Sequence, residues 1–173
     1  SLPKGYFKGL NYLLNDQRAK AIDIFIEILK LNPENIDLHF ALGNLFRRRG
    51  ETERAIRVHQ NLLSRPDLPN ELKMQALFEL GQDYLKAGLL DRAEETFHQL
   101  IGNQYEVAAR KALLEMYQRE KEWARAIDAA QAMQESGAGG RQKEIAQFYC
   151  ELAQDELVHA KTDNALQLLE KAI

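Results

Sequence analysis

The chain has 173 residues, 45% apolar and 28% charged, with 23 basic against 26 acidic side chains and a formal net charge of −3. This balance excludes collagen-like, disordered and disulfide-rich classes, and the length allows one compact domain or a short repeat array. Its one cysteine, Cys150, cannot close an internal disulfide, and with four scattered histidines (His39, His59, His98, His159) it cannot build a cysteine-rich metal site, so a reducing compartment fits best. No apolar run approaches the ~18 residues of a membrane span, and the N-terminus lacks a charged-then-apolar signal pattern. The start at Ser1-Leu2-Pro3 and the end in the helix-forming LQLLEKAI read as the edges of a piece cut from a longer protein.

Along the chain, small residues recur at a fixed period. Gly9 and Gly43 are 34 residues apart, as are Ala21 and Ala55; Gly81 and Ala93 follow 38 later, Ala126 after 33 and Ala165 after 39. Within each period two segments of about a dozen residues carry apolar side chains at three and four spacings, which predicts a pair of amphipathic helices. The expected units are 2–35, 36–73, 74–106, 107–145 and 146–173. Unit one carries Gly9, Tyr12, Ala21, Phe25, Ile28 and Pro33; unit two Leu42, Gly43, Phe46, Ala55 and Leu62; unit three Leu80, Gly81, Tyr84, Ala93, Phe97 and Leu100. Later units depart from this: unit four has Leu114 where a small residue is expected, and unit five has Glu156 in place of the aromatic.

Gly50 and Gly88 fall where a first helix must end with positive φ. Asn32-Pro33-Glu34 and Pro66-Asp67-Leu68-Pro69-Asn70 break helices between units, and the second is expected to hold the four-residue insertion as an extended loop. Gly137-Ala138-Gly139-Gly140 is expected to be the most flexible stretch and the place where the array bends. Leu166, Leu169 and Ile173 should lie exposed on the last helix.

A period of ~34 with a small residue at position 8, an aromatic at 11 and Ala at 20 resembles the tetratricopeptide repeat. The resemblance implies an all-α solenoid of about five helical hairpins, stabilised by each hairpin's contact with its neighbours. In such arrays positions 2, 5, 9, 12 and 13 of each first helix line a concave groove. Here these are Tyr6, Leu10, Leu13 and Leu14 in unit one; Asp37, Phe40, Asn44, Arg47 and Arg48 in unit two; Gln75, Phe78, Gln82, Leu85 and Lys86 in unit three; and Lys111, Glu115, Gln118 and Arg119 in unit four. The groove so drawn is apolar at one end and basic and amide-lined in the middle, suited to a peptide with apolar and acidic side chains. Asn44 with Arg48 partly resembles a carboxylate clamp, but Phe40 stands where its basic residue would be. The competing reading of Arg47-Arg48-Arg49, Arg54, Arg57 and Arg65 is a solvated basic face. A nucleic-acid partner fits poorly, because the chain is acidic overall and the basic stretch covers one unit.

Nothing points to catalysis. Glu94-Glu95, Asp155-Glu156 and Glu51 with Glu53 sit at helix starts or on polar faces, where acidic side chains favour the helix dipole. No signature motif surrounds Cys150, read as a packed or groove-lining thiol, and His39 and His59 stand at aromatic packing positions. No phosphate loop, zinc-protease motif or nucleophile elbow is present, so the chain reads as non-enzymatic and without a cofactor.

A closer resemblance rests on YFKGLNYLLNDQRAKAIDIF, on LHFALGNLFRRRGETERAIRVHQNLL with the long insertion RPDLPNELKMQALFELGQDYLKAGLLDRAE, and on IAQFYCELAQDEL. These segments are similar to the lipopolysaccharide assembly protein B family of Gram-negative bacteria. The resemblance implies a cytoplasmic repeat region held at the inner membrane by an N-terminal anchor and followed by a rubredoxin-like domain whose four cysteines bind metal, neither of which is in this sequence. It further implies an adaptor in the control of lipid A synthesis, bringing the committed-step UDP-acyl-N-acetylglucosamine deacetylase to the membrane protease FtsH for degradation, and opposed by an inner-membrane regulator. The other reading is a general scaffold for envelope machinery. Homodimerisation through the last helix is a further expectation.

Overall fold

The computed structural model describes residues 4–14, 17–137, 139–159 and 161–173. Among them lie ten helices: α1 (Lys4–Leu14), α2 (Arg18–Leu31), α3 (Ile36–Arg48), α4 (Thr52–Leu63), α5 (Asn70–Lys86), α6 (Leu90–His98), α7 (Glu106–Arg119), α8 (Trp123–Glu135), α9 (Gln142–Val158) and α10 (Thr162–Ala172). They pack as consecutive hairpins, each odd-numbered helix against the helix that follows it. Two compact units result, Ser1–Leu100 and Ile101–Ile173. The division falls after the third hairpin, and α8 and α9, on either side of the glycine-rich segment, pack together. Ala138 of that segment lies outside the described residues.

One turn closes the hairpins. The amide of Glu51 donates to Phe46 O (2.9 Å) and that of Gly50 to Arg47 O (3.0 Å), a Schellman pair with Gly50 at φ +80. Leu89 and Gly88 repeat it on Tyr84 and Leu85, and Glu122 and Lys121 on Tyr117 and Gln118. At Lys121 a side-chain-bearing residue holds φ +57, where units two and three use glycine. The same six-residue closure joins Gln17 to Tyr12 and Lys161 to Glu156.

Across each of the first four turns a cation lies over the aromatic ring eight residues before it. Lys20 Nζ is 5.6 Å from the Tyr12 centroid, and the guanidinium carbons of Arg54, Arg92 and Arg125 are 4.2, 5.8 and 4.4 Å from those of Phe46, Tyr84 and Tyr117. Such a contact is worth about 0.5–1 kcal/mol when exposed. In the fifth hairpin both members change together: Asn164 Nδ2 donates to Glu156 Oε2 at 3.3 Å. Glu156 at the aromatic position thus keeps the contact and changes its chemistry.

Inside each hairpin a small residue meets a large one. A Cβ on Gly9 would stand 2.5 Å from Phe25 Cε1, one on Gly43 2.5 Å from His59 Nε2, and one on Gly81 2.6 Å from Phe97 Cε1. In the fourth hairpin the two sizes are exchanged, with buried Leu114 at the glycine position and buried Ala130 at the phenylalanine position. The misfit of Leu114 with the repeat pattern therefore has its compensation on the facing helix.

The four-residue insertion does not form an extended loop. Helix α5 has 17 residues against 13 in α3, and it begins at Asn70 with Pro69 as its N-cap, inside the stretch expected to be irregular. Proline suits a helix start, where no amide donor is required of it. The extra turn carries Leu72, which packs with Ile36 and Leu63 against a buried cluster of Phe40, Leu62 and Ala76. A second cluster in the same unit, including Phe25, Leu38, Leu42 and Phe46, joins α2, α3 and α4.

Candidate partner-binding face

The first unit places three odd-numbered helices in succession, and α3 packs directly on α5. Between them the groove expectation meets an internal polar network. Arg47 Nη1 donates to Asp83 Oδ1 (2.8 Å) and to the Glu79 carbonyl (3.1 Å); Nη2 donates to Glu79 Oε2 (2.6 Å) and Asn44 Oδ1 (2.9 Å). All four terminal N–H groups of the guanidinium are thereby used. Burial works against its charge, but the hydrogen bonds to Asp83 and Glu79 outweigh that and hold its pKa above the ordinary arginine value.

Beneath Arg47, the carboxylate of Asp83 is fully buried and accepts a hydrogen bond from His59 Nδ1–H, itself fully buried. His59 Nε2 faces the missing Cβ of Gly43 and has no hydrogen-bond partner. A ring with Nδ1 protonated and Nε2 as a bare acceptor leaves no buried donor unmet, which is the less costly arrangement. His59 stands at an aromatic packing position, as its place in the repeat suggests, and it also holds Asp83. Asp83 itself carried no signal: an isolated acid in an amphipathic helix ordinarily points to water. The one hint was its place in α5, one turn after Glu79 and facing a neighbouring helix rich in arginine.

Other expected groove residues divide the same way. Phe40 is 6% exposed, sealed by the added turn of α5, so it belongs to the core and offers nothing to a partner. Tyr6 lies 6.0 Å from the Phe25 ring, and Leu13 packs on the same cluster; Leu10 is half-buried. The side chain of Leu14 lies outside the described residues. Phe78 is half-buried with its ring 5.9 Å from Phe97, and Gln75, Gln82 and Leu85 are also half-buried. Arg48, Lys86 and Asp37 are exposed. In the second unit, Arg119, Lys111 and Glu115 are exposed and Gln118 half-buried, its amide 3.3 Å from Glu144 Oε1.

The wider basic stretch is largely matched by acids. Glu51 pairs with both Arg49 (3.1 Å) and Arg54 (2.8 Å), and Arg65 reaches Glu34 and the Pro33 carbonyl. His39 Nδ1–H donates to the Asn35 carbonyl at 2.8 Å, a local contact. Cys150 is exposed on α9, not packed. On the last two helices Leu157, Val158, Leu166, Leu169 and Ile173 are exposed, in line with the apolar face read from the sequence. Among the described residues no group of three or more His, Cys, Asp or Glu is arranged to hold a metal ion, and no helix is long and apolar enough to cross a membrane.

Tetratricopeptide-repeat family models match residues 38–72 and 78–141. The chain is 43% identical over 171 residues to lipopolysaccharide assembly protein B of Escherichia coli K12, covering 98% of this chain and 44% of that protein. It is 38% identical over 162 residues to the protein of the same name from Haemophilus influenzae Rd, covering 88% and 41%. It thus spans less than half the length of these relatives. Among solved structures it resembles that of MamA (TM-score 0.62, 18% identity, covering 99% of this chain and 94% of that one) and a tetratricopeptide repeat protein from Parabacteroides merdae (0.64, 17%, covering 97% and 76%), likenesses of fold alone.

Proposed function

Since the chain belongs to the lipopolysaccharide assembly protein B family of tetratricopeptide-repeat proteins, we propose that it is a non-enzymatic adaptor in the regulation of lipopolysaccharide synthesis. It holds the UDP-acyl-N-acetylglucosamine deacetylase of lipid A synthesis for degradation by FtsH, working at the cytoplasmic face of the inner membrane. The observation that carries this is kinship along almost the whole chain, 43% identity over 98% of its length, with the helical-hairpin architecture of a protein-binding array beneath it. A row of packed helical hairpins presents an extended face suited to holding a partner.

On the first unit, the surface that can meet such a partner comprises Arg48 and Lys86 with the half-buried amide of Gln82 and the apolar flank of Phe78 and Leu85. Arg47 and Phe40 support that surface from within. The reading is tested by affinity capture, with the immobilised chain offered the purified deacetylase and the purified protease in separate experiments. Capture of either supports the adaptor. Capture of neither, together with retention of a different envelope protein, overturns it in favour of a general scaffold.

A further inference from the structure

Arg48 on α3 and Lys86 on α5 sit 38 residues apart at the same register of the repeat, each exposed and neither in an ion pair with any described residue. Each lies four residues after an amide side chain, Asn44 and Gln82 respectively, and so shares a helix face with it. The two helices touch, and between them Arg47 is closed off by Glu79. Glu79 differs from Asp83 in one respect that matters: its side chain remains 16% exposed, whereas that of Asp83 is fully buried. Arg47 keeps 20% exposure. The outer edge of the guanidinium is thus reachable from solvent, with a carboxylate of the chain itself seated on it.

We propose that the α3–α5 face is a binding site for an acidic, partly apolar peptide segment, in which Arg48 and Lys86 receive two carboxylates and Glu79 is an internal competitor for a third. An incoming carboxylate can take the Glu79 place on Arg47 Nη2 without disturbing the inner bonds to Asp83 and Asn44. The half-buried Phe78 and Leu85 supply apolar contact along the same helix. This rests on the docking face of the proposed function and adds to it the chemistry of the partner and a device that limits affinity. Opposite charge across an interface sets specificity and encounter rate, and it weakens with salt.

The test is fluorescence anisotropy with a labelled short peptide of glutamate and leucine, and with its glutamine-for-glutamate counterpart. Three forms of the 173-residue chain are compared: wild type, Glu79→Gln, and the double variant Arg48→Gln, Lys86→Gln. Glu79→Gln is expected to bind the acidic peptide about fivefold more tightly, and the double variant about tenfold more weakly, the scale of one or two exposed charge contacts. The glutamine peptide should bind weakly to all three. Tightness unchanged or reduced in Glu79→Gln, or unchanged in the double variant, overturns the proposal. Should Glu79→Gln lose its helical melt, the Arg47 side-chain N–H resonances of the wild type decide: they shift on addition of the acidic peptide if it displaces Glu79, and a fixed signal at saturation overturns the competitor role. Charge-dependent peptide binding without capture of the deacetylase leaves this site standing and removes its assignment to that enzyme. Capture of the deacetylase with no response to peptide charge does the reverse.

Discussion

Arg47 reaches from the second hairpin to the third and donates to Asp83 at 2.8 Å, while His59 holds the other oxygen of that carboxylate. The interface between these hairpins is therefore built partly on an ion pair whose carboxylate is fully buried. Removing one partner of such a pair strands the other, at about 3–5 kcal/mol. Asp83→Ala should accordingly lower unfolding stability by about that amount, and Arg47→Ala should add little on top of it. Urea unfolding of both single variants and the double variant measures this; strict additivity would mean the two side chains do not act together.

Gly81 has room for no side chain, since an added Cβ would meet the Phe97 ring at 2.6 Å. Gly81→Ala should cost about 1–3 kcal/mol by overpacking. Adding Phe97→Ala, the exchange that nature makes with Leu114 and Ala130, should cost less in the Gly81→Leu background than in the wild type. Thermal unfolding of these variants tests whether position pairs trade size.

Lys121 holds φ +57 in the turn where units two and three have Gly50 at φ +80 and Gly88 at φ +74. A left-handed conformation costs a side-chain-bearing residue about 1 kcal/mol. Lys121→Gly should stabilise the second unit by up to about 1 kcal/mol, and Gly88→Ala should destabilise the first by a similar amount. Opposite shifts in denaturation midpoint are the expected result.

Glu106 offers a pH signature. Hydrogen bonds from Arg110 Nε (2.8 Å) and from the Gly102 amide (2.9 Å) hold its carboxyl below the usual carboxylate range. With the folded pKa depressed, the unfolded chain binds the proton more readily. The stabilisation is present above the unfolded value of about 4.3 and is lost as pH falls through the lower folded value. An NMR titration of the Glu106 carboxyl carbon should give a midpoint below the unfolded one, and Arg110→Ala should return it towards that value.

The hairpins were legible because the repeat writes each contact twice. Gly43 and Gly81, or Phe46 and Tyr84, recur at one spacing, and the same geometry recurs with them. What was not legible comes from contacts the period does not encode. Asp83 and Glu79 meet Arg47 only because α5 is set against α3. Phe40 falls at position 5 of its helix, a groove position of the repeat; the four inserted residues, as an extra turn carrying Leu72, cover it. Arg47 and Arg48 are adjacent in sequence and alike in charge, yet one is locked in an internal network and the other is exposed, a distinction made only by the neighbouring helix.

The most direct test of the adaptor account is calorimetric titration of the chain with the purified deacetylase, set beside the variant Arg48→Glu, Lys86→Glu, which alters the exposed cations and leaves Arg47 and its network intact. The account predicts saturable binding by the wild type, weakened about tenfold or more in the variant and declining with added salt. Binding of equal strength by both proteins would contradict the assignment of the partner to this face, and no binding by the wild-type chain would contradict the claim that the repeats themselves hold the enzyme.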